Sequence, residues 1–166
     1  TWNLRGLGCV PKRLRILAQL NHRKITIAYL QETHLSVTET AHLQKKWRRQ
    51  LYATTYSAFA RGAAIWIHSG TPIEATTIRT DFEGRYVLIQ GTLDGQTIVL
   101  GCIYAPNTEQ DPFWAKLSTI MSEWAHLPWL LGGDFNAVLD IHLDHSHPDL
   151  QGTITTRQVT ALKEWM

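Results

Sequence analysis

The chain has only two cysteines, Cys9 and Cys102, too few for a disulfide framework. It also lacks a long hydrophobic run. The longest, Ile98 to Ala105, falls well short of the roughly 20 apolar residues that cross a bilayer, so no membrane role is expected. No basic segment followed by an apolar one opens the chain, and nothing in it indicates secretion; an intracellular protein is the expectation. Internal repeats and low-complexity tracts are absent too, which excludes solenoids and extended disorder. A large excess of charge of one sign is also lacking: the formal net charge is +2, weak evidence for any partner, so local placement of the basic residues matters more.

What is present fits one ordinary domain. In 166 residues, 44% are hydrophobic and 18% charged, enough to bury a substantial core. Both ends look cut. The chain starts at Thr1-Trp2-Asn3 without a methionine and stops at Met166 inside a helical pattern. That pattern opens with a capping box, Thr155 and Gln158, and carries Val159, Leu162 and Trp165 on one side. The expectation is a fragment whose last apolar stripe is left uncovered and favours self-association.

One stretch organises the rest: Leu130-Leu131-Gly132-Gly133-Asp134-Phe135-Asn136. Trp129, Leu130 and Leu131 read as a buried strand, which the two glycines allow to stop and bend. If the segment stays extended, Asp134 and Asn136 point one way and Phe135 anchors the loop from behind. A carboxylate can take a proton from water and a carboxamide can hold an anionic oxygen. The same residues also make an ordinary turn after a strand.

In chain order, Thr1 to Leu4 ends a strand that delivers Asn3, and Pro11 opens a helix to about Asn21 with Leu14, Leu17 and Leu20 on its apolar side. Ile25 to Leu30 is a strand covered on both faces. It leads into Gln31-Glu32-Thr33-His34. Ser36 and Glu39 form a capping box for a helix carrying Leu43, Trp47 and Leu51. From Tyr52 to Ala105 the period shortens towards two. Strands are expected at 52–57, 63–68, 73–79, 86–93 and 97–104, with a hairpin at Asp94-Gly95. Asp111 and Pro112 start a helix with Phe113, Leu117, Ile120 and Trp124 on one face. Two sheets covered by helices accommodate this order.

Polar residues recur where the apolar strands end: Asn3, Glu32, Tyr104, and the Asp134/Asn136 pair. Each has a structural alternative, as a loop cap, a packed ring or a solvated acid. Together their types suit a magnesium phosphoesterase. One carboxylate and one amide oxygen fit a hard cation that keeps most of its waters. Asp134 suits a base for water, and Tyr104 and Asn136 suit donors to a phosphoryl oxygen.

Thr1-Trp2-Asn3-Leu4-Arg5-Gly6-Leu7, Leu30-Gln31-Glu32-Thr33-His34-Leu35, Ile103-Tyr104-Ala105-Pro106-Asn107 and Gly132-Gly133-Asp134-Phe135-Asn136 resemble the endonuclease/exonuclease/phosphatase superfamily. The Gln-Glu-Thr-His-Leu and Tyr-Ala-Pro-Asn forms resemble its LINE-type (non-LTR) retrotransposon endonucleases, relatives of apurinic/apyrimidinic endonucleases. The resemblance implies an α/β fold, a four-layered αββα sandwich of two mixed sheets covered by helices (DNase-like), of which 1–166 would be the N-terminal two-thirds. It implies that Asn3 and Glu32 hold Mg²⁺ or Mn²⁺, Tyr104 binds the scissile phosphate, Asp134 activates water and Asn136 stabilises the pentacoordinate state. The reaction would be hydrolysis of a DNA phosphodiester, leaving a 3′-hydroxyl that primes a reverse transcriptase in the same polypeptide, which places the activity in the nucleus. The family's terminal catalytic histidine and its neighbouring aspartate have no counterpart here, so the 166-residue piece is expected to be inactive by itself.

Lys12, Arg13, Arg15, Arg61 and Arg85 are candidate phosphate contacts. Asn107, three residues beyond Tyr104, is expected to brace that loop and joins the candidate DNA contacts. The run Lys45-Lys46-Trp47-Arg48-Arg49 reads as a solvated helix face around one buried Trp. His34 is either near substrate or structural. The stretch Asp140 to Asp149, with His142, His145 and His147, has residue types that bind zinc but no zinc-site spacing. Two alternatives to a DNA endonuclease keep the fold: a phosphoesterase acting on lipid or inositol phosphate esters, and a catalytically dead relic.

Overall fold

The computed structural model describes residues 1–47, 51–137, 160, 162, 163 and 165. The capping pair Thr155/Gln158, Val159, Arg48, Arg49 and the stretch 140–149 lie outside the described residues. The elements are β1 (Trp2–Asn3), α1 (Val10–His22), β2 (Ile27–Gln31), α2 (Val37–Lys46), β3 (Leu51–Thr54), β4 (Ala63–Ile67), β5 (Ile73–Thr80), β6 (Tyr86–Leu93), β7 (Gln96–Tyr104), α3 (Gln110–Ser122) and β8 (Trp129–Asp134). They divide between two compact units. Residues 1–104 and 126–134 form the first, and 105–125 with the segment from Phe135 onward form the second. Among the described residues no helix is long and apolar enough to cross a membrane.

The first unit holds two mixed four-stranded sheets, ordered β1-β2-β4-β3 and β5-β6-β7-β8. Each contains one parallel pair, β1 with β2 and β7 with β8; the other pairings are antiparallel. Parallel neighbours need a long crossover, and a helix lies in the chain between each such pair: α1 between β1 and β2, α3 between β7 and β8. Strand alternation explains why β4 is buried throughout. Ala63, Ile65 and Ile67 pack with Tyr29, Val87, Ile89, Leu100 and Cys102 in a core built from both sheets. Ala64 and Trp66 face the other way, into a core with Ile16 and Leu20 of α1 and Leu43 and Trp47 at α2. The hairpin at Asp94-Gly95 forms as expected, with φ of 49° and 79° and Leu93 opposite Gln96.

Several expectations require correction. On α1 the buried residues are Ile16 and Leu20, with Leu17 partly buried; Leu14 is half exposed, because the buried stripe steps by four rather than three. The Ser36/Glu39 box does cap α2, but the helix ends at Lys46, and buried Leu51 belongs to β3. On α3 the buried aromatic is Trp114, while Phe113 is half-buried.

The organising strand also differs. β8 is an edge strand among the described residues, its Leu130 is exposed, and it runs through Gly132 and Gly133 without bending. Neither glycine has positive φ. Close approach is what selects them: a Cβ on Gly132 would lie 2.6 Å from the Tyr29 ring, and one on Gly133 would collide with the Ile103 carbonyl. The Tyr29 hydroxyl donates to the Leu130 carbonyl at 2.7 Å, locking the strand there. Gly133→Ala is therefore expected to push β8 off β7 beside Asp134. It should cost about 1–3 kcal/mol of stability as an overpacked site, readable by chemical denaturation.

In the second unit, Trp114 stacks on Phe135 with centroids 6.1 Å apart and packs on Trp165 at 4.8 Å. Phe135 is thus anchored as expected. Among the described residues the C-terminal stripe is not left bare, however: Leu162 is buried and Trp165 is half-buried.

The two thiols make contrasting probes. Cys9 is exposed; Cys102 is fully buried, and burial pushes its thiol up to about 11. The thiolate is the nucleophile, so iodoacetamide near neutral pH is expected to label Cys9 alone in the folded chain and both residues after denaturation. Mass spectrometry of the alkylated protein reads the difference.

Candidate active site at the strand ends

Because β1 and β2 run parallel, as do β7 and β8, their carboxyl ends emerge side by side. Asn3 is opposite Gln31, and Tyr104 is opposite Asp134. Loops outside the carboxyl ends of parallel strands are where α/β sheets present chemistry. Here a ladder of backbone hydrogen bonds continues from the strands into those loops. Gly6 and Leu7 donate to Glu32 and Thr33, Thr33 and His34 donate to Gly62 and Arg61, Gly62 donates to Gly84, and Tyr104 donates to Arg85. Arg5, Glu32, His34 and Arg61 all have left-handed φ, between 47° and 59°. Strain at non-glycine residues concentrated in adjacent loops marks a functional site.

Four of the residues singled out in the sequence form one cluster. Asn3 Nδ2 donates to Glu32 Oε1 and to Asp134 Oδ2, both at 2.9 Å. The Tyr104 hydroxyl donates to Glu32 Oε1 at 3.1 Å. The backbone N–H of Arg5 donates to Asn3 Oδ1 at 3.2 Å, fixing the amide plane. His34 Nε2 lies 3.7 Å from Glu32 Oε2, beside the carboxylate. The Arg85 guanidinium stands 5.0 Å over the Tyr104 ring. Burial, then the Glu32 carboxylate, raises the pKa of Tyr104 and keeps its phenol a donor. Burial, then Arg61, lowers that of Arg85.

Two carboxylates converging on one neutral amide form a donor set that fits a hard divalent cation. Turned over, the Asn3 amide would present its oxygen where its nitrogen now stands. Glu32 and Asn3 would then supply oxygens, with water completing the sphere. Among the described residues no three His, Cys, Asp or Glu side chains gather as a metal cluster.

The remaining candidates are placed as follows. Asn136 and Asn107 belong to the second unit. The strand ends at Asp134 and Asn136 has φ 47°, so extended alternation does not reach it; its Nδ2 donates to the Ala105 carbonyl at 2.7 Å. Lys12 donates to the carbonyls of Leu4 and Arg5. Arg13 donates to Leu7 and Gly8 and pairs with Glu39 at 2.6 Å. Both side chains brace the loop that follows Asn3. Arg15 is exposed on α1. Arg61 lies 4.3 Å over the Tyr56 ring and 3.4 Å from Glu83.

Two positioning residues escaped sequence reasoning. Gln110, nearly fully buried, donates to the carbonyls of Pro106, Phe135 and Asn136 and accepts from Trp114, so it shapes the turn that carries Asn136. Its place in the first turn of α3 was the available signal. Asp81 accepts from the backbone N–H groups of Arg85 and Tyr86 and so sets the entry to β6. No local pattern pointed to it.

Known proteins share this fold. The 3′-5′ exonuclease NExo from Neisseria meningitidis superposes with a TM-score of 0.68 at 17% identity, over 99% of this chain and 68% of that one. The endonuclease domain of TRAS1, a telomere-specific non-LTR retrotransposon, gives 0.63 at 16% identity, with 99% and 68% covered. These likenesses show the fold, an α/β sandwich of two mixed sheets with helices. In sequence, the chain is 26% identical over 146 residues to the Transposon TX1 uncharacterized 149 kDa protein of Xenopus laevis, covering 84% of this chain and 11% of that protein. The model of the Endonuclease/Exonuclease/phosphatase family matches residues 1–158, and the chain belongs to that family.

Proposed function

We propose, proceeding from that membership, that the chain is the endonuclease domain of a LINE-type retrotransposon polyprotein. It hydrolyses a DNA phosphodiester with Mg²⁺ or Mn²⁺, leaving a 3′-hydroxyl that primes reverse transcription by a polymerase of the same polypeptide in the nucleus. The observation that carries the reading is the single hydrogen-bonded cluster of Asn3, Glu32, Tyr104 and Asp134. The transposon protein and the retrotransposon endonuclease among its relatives support the biological setting.

Asn3 and Glu32 are the residues that would hold the cation, which when bound neutralises charge developing on the phosphoryl oxygens. Asp134, which the β7–β8 register sets opposite Tyr104, takes the proton of the attacking water. The phenol of Tyr104, kept protonated, donates to a non-bridging phosphate oxygen. For Asn136 the role its motif implies is kept, a hydrogen-bond donor to an oxygen of the pentacoordinate phosphoryl group. Arg85, beside Tyr104, and Arg61 are the best-placed cations for flanking phosphates, with exposed Arg15 and the loop-bracing Lys12 and Arg13 farther down the order and Asn107 a further candidate DNA contact.

The test compares substrates. The natural polypeptide that carries this chain should convert supercoiled plasmid to nicked circles with Mg²⁺ and release no phosphate from inositol phosphates. Phosphate release without nicking would move the site to small esters.

A further inference from the structure

Two loops beside the site carry aromatic rings that the fold leaves outside. Tyr56 is 54% exposed, Phe59 90% and Phe82 80%. Residues 55–62 join β3 to β4, and 81–85 join β5 to β6. The two loops are tied together: Gly62 N–H donates to the Gly84 carbonyl at 3.1 Å, the Thr54 hydroxyl to the Asp81 carbonyl, and Arg61 pairs with Glu83. They also continue into the catalytic end. Thr33 N–H donates to Gly62, His34 N–H to Arg61, and Tyr104 N–H to Arg85. The rings are therefore fixed to the same backbone ladder that holds Glu32 and Tyr104.

Charge does not account for this surface. Arg61 is shared between the Tyr56 face and Glu83, and Asp81 lies within the second loop. What the loops offer is flat apolar area beside two guanidiniums already engaged by rings, Arg61 over Tyr56 and Arg85 over Tyr104. Beside a site directed at a phosphodiester, the ligand that rewards such area is a nucleobase with its face uncovered. Bases inside a duplex present only their edges to a protein, so the rings gain nothing from intact double helix.

We propose that Tyr56, Phe59 and Phe82 form a stacking platform for unpaired bases of the strand being cut, with Arg61 covering one face of Tyr56, and that the site prefers DNA that is locally single-stranded. The proposal rests on the DNA-cleaving reading. Stacking on one aromatic is worth about 1–3 kcal/mol per base, which is about 5- to 150-fold in affinity.

The test measures binding without cleavage. Fluorescence anisotropy of a labelled 12-nucleotide oligothymidylate and of a labelled duplex of equal length is recorded in EDTA. Phe59→Ala and Phe82→Ala should each weaken single-strand binding within that range and leave duplex binding within about twofold. Phe59→Tyr, which keeps a ring, should retain wild-type affinity, separating stacking from misfolding. Equal losses on both DNAs would overturn the platform. Unchanged single-strand affinity would also overturn it, and would point to a protein partner on these rings. Plasmid nicking on the same preparations is scored separately: no nicking with ring-dependent single-strand binding defeats the cleavage reading and leaves the platform standing.

Discussion

Asp134→Ala, in the natural polypeptide that carries this chain, is expected to slow metal-dependent nicking by about 10²–10⁴-fold, the range for losing a positioned proton acceptor. Folding should scarcely change. Asp134 is only partly buried, and its Oδ2 shares Asn3 Nδ2 with Glu32, so the amide keeps a partner when the aspartate is gone. Removing one of two converging carboxylates also relieves repulsion between like charges. The unfolding midpoint should therefore stay level or rise slightly. Asp134→Asn, which keeps the shape without the basicity, should be slowed to a similar degree. Nicking at the parent rate by either variant would remove Asp134 from the role of base.

Glu32→Gln should produce the second large effect. The substitution keeps an oxygen to accept from Asn3 Nδ2 and the Tyr104 hydroxyl, so the cluster's hydrogen bonds and the left-handed backbone at residue 32 survive. What it removes is the negative charge that Asn3, neutral, cannot replace. Cation stabilisation of a phosphoryl transition state is worth several kcal/mol, so nicking should fall by about 10²-fold or more. Mn²⁺ binding, followed by electron paramagnetic resonance, should weaken in parallel. An unchanged Mn²⁺ affinity would place the cation elsewhere. The Tyr104 phenol adds a control: with a carboxamide beside it, its pKa should fall back towards the ordinary tyrosine range, because the Glu32 carboxylate is one of the causes that raise it.

Much of this site was legible in the sequence because its residues terminate recognisable strands. Glu32, Tyr104 and Asp134 each come at or just after the end of a short apolar run, and apolar runs are visible without coordinates, whereas Asn3 was legible only through the motif around it. The Ser36/Glu39 box and the Asp94-Gly95 hairpin were legible for the same local reason. Errors arose where a choice depended on partners distant in sequence. Leu14 and Ile16 fit a helical stripe equally well until β2 and β4 select the face. Gly132 and Gly133 looked like turn residues, yet what requires them is the Tyr29 ring and the Ile103 carbonyl. Gln110 sits just before the Asp111-Pro112 helix start, and only the folded turn shows three carbonyls converging on its amide. Trp165 is not uncovered as expected, because Trp114, which packs on it, lies far upstream. In each case the sequence carried the residue and the fold supplied the neighbour.

The central claim is that the Asn3, Glu32, Tyr104 and Asp134 cluster hydrolyses DNA and leaves a 3′-hydroxyl. The most direct measurement treats supercoiled plasmid with the natural polypeptide and Mg²⁺, then adds a DNA polymerase and one labelled deoxynucleotide. Label should be incorporated at the nick without prior phosphatase treatment, with none above background from the Glu32→Gln protein. Nicks that accept label only after phosphatase treatment, or equal labelling by both proteins, would contradict that claim.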